Sequence, residues 1–356
     1  MSVRPFLLFL LACSLCFACR TRQRRQIRPA FYFWQTVYRP DSATLACLDA
    51  VQCQALYLKI FDIGVDAAAG GIQPYSRLLL GDTAGLRGRT LIPCIFITNQ
   101  VFEKIPAGQI EWLAGKISAA LRDHPLYDWL GPGYELQIDC DWTAGTAAAF
   151  FQFLRRLRQQ LPAGTRLSAT IRLHQYKYPD RTGVPPVDRG MLMFYNTGNI
   201  DDPEERNSIF DLEEARGYLK GAPPRYPLPL DVALPIFSWS LVYRDGALWK
   251  IIPGLQPGAL ADTAFFEPEA AQSAAAARPV WTVLQSTLRD GQYLRPGDQI
   301  RWEALSPAQL RDAAGLAAQF DLAADARAAF FHLDTASIRR FPARYLGDVC
   351  AILQQP

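Results

Sequence analysis

The most informative stretch of this chain is Tyr134-Glu135-Leu136-Gln137-Ile138-Asp139-Cys140-Asp141-Trp142. Side chains of a β-strand alternate between two faces, so the polar residues from Glu135 to Asp141 share one face and the apolar residues between them share the other. Burying unpaired carboxylates is costly, so a strand of this kind normally lines a wet or functional cavity. The stretch therefore predicts a strand whose C-terminal end carries chemistry or ligand binding.

Strand-like and helix-like segments alternate along the rest of the chain. The predicted strands are short apolar runs at 31–38, 55–62, 91–98, 134–141, 167–174, 191–197, 230–237 and 328–334. The clearest predicted helices have apolar residues three and four apart, at 110–122, 146–160, 212–220 and 307–320. Eight strands that alternate with helices predict an α/β fold, a (β/α)8 or TIM barrel, which a chain of 356 residues can form.

Residues 238–305 interrupt this alternation. Tyr243-Arg244-Asp245-Gly246 is a turn signal between two apolar runs and predicts a hairpin. Further strand-like runs at 280–288 and 299–303 follow an alanine-rich helical stretch at 268–277. We interpret the segment as a small α+β insertion between strands 7 and 8 of a barrel domain that spans 31–356. A separate domain is the alternative, disfavoured because strand 8 comes only afterwards.

The first thirty residues predict export and membrane anchoring. Residues 1–19 combine a charged start, a short apolar run and small residues before cysteines, which is typical of a secretory signal. The segment resembles a bacterial lipoprotein signal that is lipidated at Cys19 or Cys13; a cleaved signal with incidental cysteines is the alternative. Residues 20–30 are basic and predict a solvated tether. We therefore expect an exported protein, lipid-anchored to a bacterial membrane at the outer membrane or cell surface.

The remaining composition excludes some other partners. The basic run 20–30 has no interleaved aromatic residues, and the net charge is only +3, so nucleic-acid binding is not expected. Five cysteines follow Cys19, an odd number that implies no complete disulfide framework, although Cys47 and Cys53 could pair or stay buried thiols. The sequence has no HExxH motif, and we expect neither a metal site nor a cofactor.

Candidate site residues follow from the predicted fold, because barrel sites form at the C-terminal ends of strands and in the loops after them. Residues predicted at those ends are Trp34, Asp62, Asp139, Asp141, His174, Gln175, Tyr195, Asn196, Trp239 and Asp334. We expect Lys59 and Arg172 to neutralise Glu135 and Asp139, the inner acids, which leaves Asp141 nearer the mouth. A satisfied polar network without function is the alternative. Tryptophan faces at strand ends suit stacking on sugar rings, so a carbohydrate is the expected partner.

Three motifs resemble those of the chitinase-type glycoside hydrolases of family 18. Asp139-Cys140-Asp141-Trp142-Thr143 is similar to their strand-four motif Asp-x-Asp-x-Glu, and Met193-Phe194-Tyr195-Asn196 to their strand-six Met-x-Tyr-Asp. Residues 232–238 are similar to their strand-seven Gly-x-Pro-x-Tyr-Gly region. The resemblance spans strands four to eight and implies a TIM barrel that cleaves glycosidic bonds. The chain also resembles bacterial lipoproteins of glycosidase-like sequence.

Departures from the family pattern leave two functions open. The family's catalytic glutamate falls on Thr143, which cannot donate a proton as a carboxylic acid can. A shifted alignment makes Asp141 the general acid and Asp139 its electrostatic partner, with burial keeping Asp141 protonated. We therefore expect a glycoside hydrolase acting on a poly- or oligosaccharide at the cell surface. The alternative is a non-catalytic glycan-binding lipoprotein with a degenerate glycosidase barrel.

In the hydrolase, Tyr195 and His174 would position the substrate and Trp239 would stack on a sugar ring. A third hypothesis is a metal-dependent hydrolase that uses aspartates and histidines of several strands, namely Asp139, Asp141, His174, His332 and Asp334. Strand 1 lacks the paired histidines that barrel metallohydrolases usually carry, which disfavours this hypothesis. It requires His174, His332 and an aspartate to meet at one point.

Overall fold

A closed barrel of parallel strands forms the centre of the protein. The structure, a computed structural model, describes residues 25–66, 71–269 and 279–355. The barrel strands, in chain order, are β1 (Arg28–Phe33), β2 (Ala55–Asp66), β3 (Thr90–Ile97), β4 (Glu135–Asp139), β5 (Arg166–Arg172), β6 (Arg189–Met193), β7 (Leu230–Pro235) and β8 (Arg327–Phe331). Each strand pairs in parallel with the next, and β8 pairs with β1. This confirms the predicted TIM barrel, and every predicted strand overlaps its barrel strand.

The helices follow the strands. They are Ser42–Ala50, Asn99–Lys104, Ile110–Arg122, Ala147–Gln160, Leu173–Lys177, Pro179–Thr182, Leu212–Leu219, Pro307–Ala317, Thr335–Arg340 and Ala343–Leu353, with single 3-10 turns at Ala107–Gln109, Pro125–Trp129 and Pro257–Leu260. The helix predicted at 110–122 matches residue for residue. Pro307–Ala317 begins at a capping box in which Ser306 and Gln309 bond each other's backbone, which explains its sharp start. In the described part of the chain, no helix is long and apolar enough to cross a membrane.

The segment after β7 folds as an antiparallel sheet with a small apolar core of its own. Its strands, in spatial order, are Ala247–Ile252, Ser238–Arg244, Gln299–Ala304, Val280–Val283 and Phe266–Pro268. Asp245 and Gly246 have φ of 52° and 79°, the turn geometry that matches the twist of a two-residue hairpin. A second hairpin pairs Thr287–Arg289 with Gln292–Leu294. Most of the alanine-rich stretch predicted at 268–277 lies outside the described residues.

Two short pairings complete the sheets. Gly71–Arg77 runs antiparallel to the end of β2, and Val37–Tyr38 pairs with Leu79–Leu80. The five cysteines beyond Cys19 are all free and buried, so Cys47 and Cys53 are thiols in this structure. Burial raises the pKa of Cys53 to about 12 and that of Cys47 to about 11, so both stay protonated at neutral pH.

The basic run before β1 is packed rather than solvated from residue 25 onward. Arg25 is 9% exposed, and its guanidinium donates to the carbonyl oxygens of Ala318 and Phe320 at 2.7 and 2.9 Å. Those carbonyls follow the end of helix Pro307–Ala317, where acceptors lack partners within the helix. The prediction of a solvated tether is therefore wrong for residues 25–30. The predicted signal and residues 20–24 lie outside the described residues.

A buried ion-pair network fills the base of the barrel, at the N-terminal ends of the strands. One Arg327 nitrogen donates to Glu135 Oε2 and to the Tyr57 hydroxyl, both at 2.8 Å. Arg189 donates to Asp231 Oδ1 at 2.6 Å, and the Arg327 backbone N–H donates to the same oxygen at 2.8 Å. Glu135 and Asp231 are therefore neutralised by arginines at the starts of β6 and β8.

Candidate functional site

The polar face of β4 points into the barrel. Gln137 Oε1 accepts from the Tyr32 hydroxyl at 2.6 Å, and Asp139 Oδ1 accepts from Thr170 Oγ1 at 2.6 Å. Together with Glu135 at the base, these side chains rise along one line from the bottom of the barrel to its mouth. The alternation read from the sequence therefore gives the correct face for the whole strand.

Asp139 is the buried carboxyl below the mouth. It is 5% exposed, and burial raises its pKa to about 6; nearby Asp141 adds to the shift, while Arg172 and the Thr170 hydroxyl oppose it. A carboxyl in this range is partly protonated near neutral pH. Asp139 thus has the raised pKa expected of a general acid, although it does not line the cleft described below.

Asp141 is held by an arginine. Arg172 Nε donates to Asp141 Oδ1, and Arg172 Nη2 donates to Asp141 Oδ2 at 2.9 Å. The Asp141 side chain is 48% exposed, so the pair lies at the open mouth of the barrel. Both carboxylate oxygens of Asp141 therefore already accept a hydrogen bond from the Arg172 guanidinium. The geometry does not support the general-acid role that the shifted alignment gave Asp141.

The predicted neutralisation of the inner acids is wrong for Glu135, whereas at Asp139 the positive charge of Arg172 does lower the pKa. Lys59 Nζ pairs with Asp62 Oδ2 at 2.7 Å, and Arg172 pairs with Asp141. Glu135 is paired with Arg327 instead. The reason is height in the barrel, because Lys59 and Arg172 lie nearer the mouth than the acid at the start of β4.

A cleft of about 270 Å³ opens beside this pair. It is lined by residues of β4, β5 and β6 ends and one outer helix: Asp141, Arg172, Leu173, His174, Tyr195, Asn196 and Tyr218. His174 lies in the short helix Leu173–Lys177, since β5 ends at Arg172. Asn196 has φ of 56°, a left-handed conformation that asparagine tolerates better than most residues, and its backbone N–H donates to Ile209 O at 2.7 Å. The structure thus brings together four of the predicted site residues.

The cleft presents neutral polar groups around one ion pair. Burial and the neighbouring Arg172 lower the pKa of His174, so its imidazole is neutral at pH 7. Burial raises the pKa of the Tyr195 and Tyr218 hydroxyls, which therefore stay protonated. Hydroxyl and amide donors of this kind suit a ligand rich in hydroxyl and carbonyl oxygens.

Aromatic rings form the opposite side of the mouth. Phe331, at the end of β8, lies 5.4 Å from Trp34, 5.4 Å from Tyr195 and 5.5 Å from Phe237 between ring centroids. Trp239 extends this row at 5.1 Å from Phe237. Trp34 and Trp239 are partly buried and keep some exposed surface. The mouth therefore has an aromatic side on β1, β7 and β8 and a charged side on β4 and β5.

Trp142 does not belong to that row. It is fully buried, stacks on Phe150 at 5.2 Å, and donates its indole N–H to Thr182 O at 2.9 Å.

Asp62 lies on the mouth in a separate polar group, where it accepts from Lys59 and from Ser76 Oγ at 2.6 Å. Asp62 is therefore not brought into the cleft.

Two further predicted ligand-binding residues have structural roles. The Gln175 amide is buried; it accepts from the Arg172 backbone N–H at 2.7 Å and donates to Trp142 O at 2.9 Å. Asp334 caps helix Thr335–Arg340, because its Oδ1 accepts from the Ser337 N–H at 2.6 Å. The structure thus does not support a ligand contact for Gln175, and it assigns Asp334 to a helix end.

The metal-dependent hypothesis finds no support in the described ranges, where no three His, Cys, Asp or Glu side chains could hold a metal ion. His332 Nε2 faces Asp334 Oδ2 at 3.1 Å, whereas His174 lines the cleft.

Sequence reasoning missed Tyr218, Phe237 and Phe331 as mouth residues. Phe237 could have been found, because it ends the predicted strand 230–237, and Phe331 lies within the predicted strand 328–334; Tyr218 could not, because a helix brings it to the cleft.

Comparisons with known proteins identify the fold. No family model matches the chain, and no curated protein sequence does. Among solved structures, a chitinase from Chromobacterium violaceum matches with a TM-score of 0.54 and 16% identity, over 93% of this chain and 100% of that one. The spore cortex-lytic enzyme SleL of Bacillus megaterium matches with a TM-score of 0.50 and 12% identity, over 94% of this chain and 75% of that one. The chain is therefore similar in fold to chitinase-type barrels, as the sequence motifs implied.

Proposed function

We propose that this protein binds a carbohydrate at the barrel mouth and does not cleave it through Asp141. The aromatic row would stack against the apolar face of a sugar ring. The neutral donors of His174, Asn196 and Tyr218 would bond its hydroxyl and carbonyl oxygens. Aromatic faces beside a few convergent polar groups are the usual composition of a sugar-sized site.

The observation that carries this proposal is the two-point pair of Arg172 with Asp141. A glycosidase needs a carboxylic acid that is protonated and within reach of the glycosidic oxygen. Asp141 lines the cleft, but each of its carboxylate oxygens accepts a hydrogen bond from the guanidinium. Thr143 stands where the family motif has its glutamate, and its side chain lies beside Thr146 at the start of helix Ala147–Gln160.

A hydrolytic function is the second candidate because of Asp139. Its pKa of about 6 is the value expected of an acid at work near neutral pH. For this function Asp139 would have to reach the ligand past Asp141, with the two aspartates exchanging the roles that the sequence suggested. The fold similarity to a chitinase is compatible with this candidate and with the first.

The deciding experiment combines a glycan array with a hydrolysis screen of the purified protein. Chitin oligosaccharides and spore-cortex fragments come first, because the similar structures are a chitinase and a spore cortex-lytic enzyme. Binding without turnover, unchanged in Asp139→Asn, supports the glycan-binding function. Turnover that disappears in Asp139→Asn replaces it with the hydrolytic one. No binding to any glycan rejects both.

We also propose that the ligand is extracellular. This rests on the sequence of residues 1–19, which predicts export and a lipid anchor at Cys19 or Cys13. Fractionation of the expressing cells tests it, because a cytoplasmic protein would contradict an extracellular ligand.

A further inference from the structure

Glu303 joins two parts of the molecule that are distant in sequence. It is 2% exposed and lies on the insertion strand Gln299–Ala304. Its Oε2 accepts from Trp239 Nε1 and from Ser208 Oγ, both at 2.7 Å, and its Oε1 accepts from Arg301 Nε at 2.8 Å. Trp239 belongs to the insertion, whereas Ser208 belongs to residues 194–211, which follow β6 and are called here the β6 loop.

Four more bonds fasten the β6 loop to the insertion. Arg301 Nη1 donates to Asp202 O at 2.7 Å and to Pro203 O at 2.8 Å. Asn207 Nδ2 donates to Ala304 O at 2.9 Å, and the Tyr243 hydroxyl donates to Ile200 O at 2.7 Å. The contacts lie along the length of the β6 loop, so the insertion sheet acts as its support.

The β6 loop in turn forms one wall of the cleft. Its residues Tyr195 and Asn196 line the cleft, and the Asn196 N–H donates to Ile209 O next to Ser208. Tyr195 also packs against Phe237, which packs against Trp239. The contacts therefore close a ring from the cleft wall through the loop to Glu303, and back through Trp239.

A role in stability alone is a weak explanation of this arrangement. A buried ion pair such as Arg301–Glu303 gains little net free energy, since taking both charges out of water offsets their attraction. What the carboxylate supplies is a fixed acceptor for a donor from each side. We propose that Glu303 is a positioning residue that holds the Tyr195–Asn196 wall and the Trp239 ring in one arrangement. Its effect on ligand affinity rests on the proposed function.

The test uses Glu303→Gln and a matched control in the same sheet. Gln keeps one acceptor but turns the other into a donor, so either Arg301 loses its acceptor or Trp239 and Ser208, which share Oε2, both lose theirs. The control is Asp298→Asn. Asp298 is as buried as Glu303 and takes two bonds from Arg244, at 2.8 and 2.7 Å, without contacting the β6 loop. Both variants break a buried ion pair of the insertion, and only one of them frees the loop.

Two readouts separate positioning from stability. In Glu303→Gln we expect amide hydrogen exchange of residues 196–211 to rise about tenfold, the size of one lost charged hydrogen bond, with barrel strands unchanged. The ¹⁵N indole signal of Trp239, assigned with Trp239→Phe, should also shift. Asp298→Asn should change neither. Equal exchange in both variants, or a rise confined to the insertion strands, would overturn the proposal.

A third readout connects Glu303 to binding. Chitotriose titrated into wild-type protein and both variants should bind about tenfold more weakly to Glu303→Gln alone. Equal affinities in all three proteins would overturn the positioning role in binding. If wild-type protein binds no glycan, the proposed function fails, whereas exchange and the indole signal still decide the role of Glu303.

Discussion

Arg172 and Asp141 face each other at the mouth of the barrel, with Arg172 at the end of β5 and Asp141 two residues beyond the end of β4. Two hydrogen bonds join the guanidinium of Arg172 to the two carboxylate oxygens of Asp141, which fixes the orientation of one group relative to the other. Asp141, the acid of the sequence motif, is therefore part of an ion pair with no net charge.

Asp141→Asn should lower the free energy of unfolding by about 1 kcal/mol, the modest value expected of a partly exposed ion pair. The amide of asparagine would direct a donor toward the guanidinium. Urea unfolding measures the change. Glu213→Gln, which removes the partner of Arg216 in a more exposed pair, serves as control and should have no measurable effect. Equal losses in both variants would contradict a special role for the Arg172 pair.

Asp139→Asn should change how stability depends on pH. The folded-state pKa of Asp139 is raised to about 6 from an ordinary 3.8, so the folded protein binds this proton more tightly than the unfolded chain. Wild-type stability should therefore fall as pH rises from about 4 to about 6, by at most about 3 kcal/mol. The variant should lose that slope. Thermal unfolding across this range measures it, and parallel curves for the two proteins would refute the assignment.

Gln175→Ala should destabilise the protein by about 2 kcal/mol, because it leaves the buried Trp142 carbonyl and the Arg172 N–H without partners. Chemical denaturation measures the loss. Gln159→Ala, on the exposed face of helix Ala147–Gln160, should stay within about 0.5 kcal/mol of wild type. A neutral Gln175→Ala would reopen the possibility that Gln175 binds ligand.

Arg327→Met should cost about 3 to 5 kcal/mol, because Glu135 and Asp231 would keep buried charges beside a lost cation. Arg166→Met, at an exposed position of β5, is the matched control. We expect a clear fall in melting temperature for Arg327→Met only. A stable Arg327→Met protein would show that the base acids are neutralised in another way.

Lipidation should depend on a single cysteine near the N-terminus. Labelled palmitate supplied to expressing cells should enter the wild-type protein, and either Cys19→Ser or Cys13→Ser should abolish incorporation. The single variant that loses the label identifies the anchor. Labelling that survives the double substitution, or no labelling of wild-type protein, would reject the lipoprotein prediction.

The barrel could be predicted from sequence because its signals are local. Each barrel strand is an apolar run that can be recognised from its own residues alone. In β4 the alternation of polar and apolar residues also shows which face points into the barrel. Helix Ile110–Arg122 was equally readable from its spacing. The hairpin turn at Asp245 could also be predicted, because the Asp-Gly pair alone favours this turn.

The partners of the charged residues could not be predicted in the same way. Alternation tells which face a side chain shares, but the stagger of strands in a closed barrel sets its height. Arg327 reaches Glu135 because the two strand starts meet at the base, a relation that no single segment contains. The engagement of Asp141 by Arg172 is of the same kind, and it is the contact that changes the functional conclusion.

The contact of Arg25 with the carbonyls of Ala318 and Phe320 holds the chain before β1 against the barrel. Arg25 lies before β1, at the base, whereas the cleft opens at the far end of the strands. Any tether attached before Arg25 would therefore hold the barrel from below. If that tether were anchored in a bilayer, the mouth would face away from the bilayer.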